Sequence, residues 1–182
     1  MLGGVSESDP WVELLDAGRV HEASAARSRQ RWLEAAAVEG ATLAGVLLDL
    51  VGRDDLVAVG VAGGATVSAE VVGVGADVVV LDRRTGPLSL VPLHRVTTVR
   101  VQGALPLGDR EAPDGPRLVD LLARSGERQE SVVLRLDDGA VVAGVVESAG
   151  ADVLRVRAED PVLGSTYVSV TSIGEAVVFR SG

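Results

Sequence analysis

Between Leu56 and Val101 apolar side chains recur at every second position, interrupted by small residues that turn the chain. Val57, Val59 and Val61 alternate with Ala58 and Gly60, Gly63-Gly64 marks a turn, and Val67, Ala69 and Val71 resume the period of two. That period belongs to a half-buried strand. Gly73 and Gly75 flank Val74 and predict a bend or bulge before a turn at Ala76-Asp77. Val78–Leu81, Leu88–Leu93 and Val96–Val101 bring the number of strands to five, with Arg83–Gly86 as a loop. Upstream the spacing changes to 3-4-3-4-3 through Leu33, Ala36, Gly40, Leu43, Leu47 and Leu50. It predicts a helix from about Val20 or Ala25 to Val51, ended at Gly52. A shorter helix, Pro10 to about Asp16, is started by Asp9.

The whole pattern occurs twice. Shifted by 75 positions, Leu56–Leu81 lies without a gap on Ser131–Val156. Gly64 falls on Gly139, Val71 on Val146, and Gly75-Ala76-Asp77-Val78 on Gly150-Ala151-Asp152-Val153. Upstream, Leu43, Val46 and Leu47 meet Leu118, Leu121 and Leu122. A fixed period of this kind is a statement about architecture. The chain therefore divides into an N-terminal helical segment (1–55), a first β-unit (56–102), a linker rich in Pro, Gly and acids with a short helix over Pro116–Ser125 (103–130), and a second β-unit (131–182). The fold class expected is mainly β with N-terminal helices (α+β): two tandem five-stranded barrels, each preceded by a helix.

Helix, then five short strands, with G-x-x-V-x-x-x-V, G-x-D-V-V-V-L and later V-P-L-H-R-V-T-T-V, resembles the Sm-like (LSm/Hfq-type) β-barrel, one of the SH3-like small barrels. Gly64, Val67, Val71, Asp77 and Leu81 stand where the first Sm motif has its glycine, apolar positions and aspartate, and Val91, His94, Val96, Thr98 and Val99 echo the second. The segment RWLEAAAVEGATLAGVLLDLVGRDD is also similar to actinobacterial proteins of unassigned function. The resemblance implies barrels that pair edge strands with one another, and a surface for RNA. The RNA-binding residues of the family are largely missing here: Leu81 and Leu93 occupy positions where a polar or basic group is needed, and the second unit has Val168–Ile173 without a base.

Charge bears on the RNA expectation. All 17 basic residues are Arg and the net charge is −9. Residues 56–102 alone carry +1, and everything outside them −10. A field of that sign repels a polyanion. If RNA binds, it does so through Arg83, Arg84, His94, Arg95 and Arg100, and the acidic balance disfavours it. The four aromatic residues, Trp11, Trp32, Tyr167 and Phe179, offer little base stacking.

No nucleophile, base and orienting group stand together, so no catalytic residue is assigned and no enzyme is expected. His21 lacks a second His or Cys beside it, Cys is absent, and neither a metal site nor a cofactor is expected. Asp77 and Asp152 follow Gly-Ala at turns, where an aspartate bonds nearby backbone N–H groups. The first residues lack the basic and apolar regions of a signal peptide, and no apolar run reaches bilayer length, so the expectation is a cytoplasmic protein without a membrane partner. What remains is an interaction or scaffold protein, a homo-oligomer such as a dimer or the binder of another protein. Its interface is expected along strand edges and on Leu33, Ala36, Gly40, Leu43, Leu47 and Leu50, a seam that fits either the protein's own barrels or a second chain.

Overall fold

The computed structural model describes residues 40–84, 86–103, 106–111 and 113–180. Helix α1 (Leu43–Leu50) precedes β1 (Val57–Val61), β2 (Thr66–Val74), β3 (Val78–Asp82), β4 (Leu88–Pro92) and β5 (Val96–Arg100). Helix α2 (Leu118–Glu127) precedes β6 (Ser131–Leu136), β7 (Val141–Ala149), β8 (Val153–Arg157), β9 (Ser165–Ser169) and β10 (Ile173–Phe179). A 3-10 turn joins the fourth strand to the fifth in each repeat, Leu93–Arg95 and Val170–Ser172.

The duplication holds at the level of single residue pairs. Val59 faces Val67 and Val99, while Leu134 faces Val142 and Ala176. The register of β2 slips between Val71 and Gly73, and that of β7 at the matching Val146 and Ser148. Ser148 shows that the bulge does not depend on glycine; it is set by the twist the paired strands need. Even the left-handed residue after each helix recurs, Asp54 and Gln129 both having φ of 55°. Strands one to three match at an offset of 75. Strands four and five match at 77, because the loop between β8 and β9 is two residues longer than that between β3 and β4.

Two separate closed barrels are not what these repeats build. The ten strands form one open antiparallel sheet in the order β5-β1-β2-β3-β4-β10-β6-β7-β8-β9. The outer edge of β4 pairs with β10, not with β5 of its own repeat: Leu90 faces Ala176, Ser89 faces Val177 and Leu88 faces Val178. Backbone N–H and C=O groups at an edge need partners, and a strand from the other repeat supplies them as well as a closing strand would. Alternation along a strand specifies which face is buried and is silent on which strand lies beside it.

The expected long helix does not run through residues 40–42; its part before Gly40 and the expected helix from Pro10 to about Asp16 lie outside the described residues. Thr42 has extended φ and ψ and its hydroxyl accepts the Gly45 N–H at 2.9 Å, so α1 begins only at Leu43. Leu47 and Leu50 are buried with Val57, Val59, Val67, Val71, Val79 and Leu81 in the core of the first repeat. The second core contains Leu118, Leu122, Val132, Leu134, Leu154 and Val156, and it also takes in Val78 and Leu90 from the first repeat. Among the described residues no helix is long and apolar enough to cross a membrane.

Candidate functional site

The chemistry of the molecule is concentrated where the repeats meet. Glu175 stands in the otherwise apolar β10, IGEAVVF, and is only 4 % exposed. A buried carboxylate requires cations, and two arginines answer it. Arg83 Nη2 lies 2.7 Å from Glu175 Oε1 and Arg135 Nε 3.3 Å from Oε2. Arg83 Nε also donates to Ser89 Oγ at 3.1 Å, within β4.

Further ion pairs flank this centre. Arg95, in the first 3-10 turn, reaches Asp137 Oδ2 at 2.7 Å and donates to the Thr171 carbonyl at 2.9 Å. Arg180 lies 3.1 Å from Asp82. Arg117, at the start of α2, lies 3.4 Å from Asp77. The pairs across the junction run both ways, Arg83 and Arg95 to acids of the second repeat and Arg117 and Arg180 to acids of the first.

Asp77 does more than accept a neighbouring N–H. Its Oδ1 accepts the Leu118 N–H at 2.7 Å, across 41 residues, and so caps the helix of the other repeat. Beside it the Ala76 N–H donates to the Pro116 carbonyl at 3.2 Å. Gly75 is needed here, since a Cβ on it would overlap that same carbonyl. The turn Gly75-Ala76-Asp77 is therefore a notch that receives the first residues of α2. Above the notch, Val78, Val80 and Leu90 pack against Leu121 and the rest of the second core.

The expected nucleic-acid residues do not act as one surface. Arg83 and Arg95 belong to the junction just described. Arg84 bonds to Glu70 and donates to the Asp54 carbonyl at 2.6 Å, inside its own repeat. His94 and Arg100 are exposed. Of the expected helical seam, Leu33 and Ala36 lie outside the described residues, Gly40 and Leu43 are exposed, and Leu47 and Leu50 are core. Sequence reasoning missed Glu175, Asp137 and the capping role of Asp77. A lone acid inside an apolar strand was the available signal for Glu175.

Among the described residues nothing occupies the matching parts of the second repeat. Its notch, Gly150-Ala151-Asp152, is exposed, and a Cβ on Gly150 would meet only Val153. The counterparts of Val78 and Leu90 are Val153, 36 % exposed, and Tyr167, 70 % exposed. A cleft of about 510 Å³ between α2 and β7–β8 is polar, and its Arg155 and Arg157 are both paired with Glu147 at 3.0 and 3.3 Å.

No protein family, curated protein or solved structure matches the chain.

Proposed function

We propose that the protein is a non-enzymatic interaction or scaffold protein that associates through the edges of its sheet. One observation carries this. β5 and β9 end the sheet, and they are the repeat counterparts of β10 and β4, the strands that already join two units inside the chain. Among the described residues each unit thus has one edge used and one edge unpaired, and the unpaired edges are of complementary kinds.

The composition of these edges supports the same reading. Strands exposed at an edge are usually protected by charge or proline. β9 is STYVS, with neither, and β5 is VTTVR, with Arg100 as its one charge. Applied between chains, the β4–β10 register sets Val99 opposite Tyr167 and Arg100 opposite Thr166. Such a contact is heterologous, so it continues until the copies close on themselves or end as a filament. Polyanion binding has less support, because Arg83, Arg84 and Arg95 are each engaged by a carboxylate.

Light scattering across a concentration series tests the proposal. Mass should rise above that of one chain at tens of micromolar, and Thr98→Lys, which puts a cation at the counterpart of the buried Glu175 with only Ala158 and Gly60 at the places of its ion-pair partners, should return it to one chain. A single-chain mass at every concentration overturns the proposal.

A further inference from the structure

We infer, on the basis of the edge association proposed above, that the outer face of β8–β9 is a docking surface for helix α1 of a second copy of this chain. The occupant follows from the duplication. In the first repeat the same face, Val78, Val80 and Leu90, is covered by α2 of the next repeat, and the notch at Gly75-Ala76-Asp77 grips the start of that helix. In the second repeat the face is Val153, Arg155 and Tyr167, the notch is Gly150-Ala151-Asp152, and both are open.

Helix α1 carries the linker along one flank, where the Thr42 N–H donates to the Gly108 carbonyl and Asp49 accepts the Gly108 N–H, and beside that flank Leu43 is left uncovered among the described residues. Leu118, only 2 % exposed, corresponds to Leu43, which is 38 % exposed. Pro116, whose carbonyl the first notch takes, corresponds to Ala41, and Ala41 and Thr42 are exposed. Thr42 occupies its hydroxyl with the Gly45 N–H, which leaves the Leu43 N–H for an outside acceptor. Asp152 of the neighbouring copy is that acceptor, in the geometry Asp77 uses on Leu118. The Asp152 carboxylate has no side-chain partner among the described residues, so no existing contact has to break.

The contact between copies differs from its internal template in electrostatics. Where the internal junction has Arg83, Arg95, Asp137 and Glu175, the corresponding positions are Ala158, Ser172, Ala62 and Thr98. The copies are therefore held by backbone pairing, the capped helix start and the Val153–Tyr167 face, without ion pairs. No ion pair at the junction is then open to screening by salt.

Two variants and one cross-link test this. Asp152→Ala removes a side chain without internal partners, so thermal stability should stay unchanged while the dissociation constant between copies rises about five- to tenfold, the worth of one helix cap. Ala41→Cys with Ala151→Cys, in a chain without other cysteines, should give covalently linked dimers and higher species under oxidised glutathione, seen on a non-reducing gel. Ala76→Cys with Pro116→Cys is the internal control and should close within one chain. Wild-type association untouched by Asp152→Ala, with no cross-link at 41 and 151, overturns the docking surface and leaves edge pairing standing. A wild-type protein of single-chain mass overturns both.

Discussion

The β3–β4 face of the first repeat and the β8–β9 face of the second descend from one pattern and have opposite surfaces. Leu90 is 4 % exposed and Tyr167, at the same place, is 70 % exposed. Gly75 is buried and Gly150 exposed. Nothing in the local backbone separates them, since both turns make the same hydrogen bond, Gly75 N–H to Val78 O and Gly150 N–H to Val153 O, at 2.7 Å. The difference is whether a following repeat is there to cover the face. Burial in this molecule is a property of neighbours, as it is in solenoid proteins, where each unit is completed by the next.

Substitutions at matched positions sharpen the contrast. Leu90→Ala should cost about 2–5 kcal/mol in denaturant unfolding, the range for truncating a buried leucine. Tyr167→Ala should stay within about 0.5 kcal/mol when measured on the single chain, because its side chain is solvated there. Next in size, Arg83→Ala leaves Glu175 with Arg135 as its one cation among the described residues. The loss should be about 2 kcal/mol, below the ~3–5 kcal/mol of a fully buried pair, since Arg83 is 39 % exposed. Third, Asp77→Ala removes the acceptor of the Leu118 N–H at the start of α2 and should cost about 1 kcal/mol by thermal unfolding. Equal effects of Asp77→Ala and Asp152→Ala would erase the distinction between the occupied and the open notch.

The smallest expected effect is a gain. Thr98→Glu combined with Ala158→Arg copies the Glu175–Arg83 pair to the free edges. Copies should then associate more tightly by about 0.5–1 kcal/mol at low salt, and the gain should vanish near 1 M salt. Sedimentation at two ionic strengths reads both. A gain that survives high salt would mean the new residues act by packing and not as an ion pair.

Much of the fold can be read from residues. Val57, Val59 and Val61, the Gly63-Gly64 turn and Gly52 after the helix each act on their own neighbourhood, and local steric rules suffice for them. The 75-residue offset foretells that Asp77 and Asp152 occupy like turns. What the chain order conceals is β4 choosing β10, because a period of two is identical in a closed barrel and an open sheet. The site was hidden for the same reason. Arg83 stands in a loop that reads as cationic, and its acid lies 92 residues away on a strand that becomes adjacent only through that pairing. Asp152 was legible as a turn residue, whereas its unfilled role shows only beside the filled one.

The strand that unites the repeats has a consequence in time. About 80 residues separate the end of β4 from the start of β10, and a ribosome adding roughly 5–20 residues per second needs about 4–16 s to make them. During that interval a nascent chain presents an uncovered β4 edge with its partner not yet made. The β10 of a neighbouring chain that has not yet paired with its own β4 fits that edge as well as the chain's own will. On crowded polysomes the internal junction is then open to exchange, and two chains that trade β10 strands leave the ribosome as an intertwined pair.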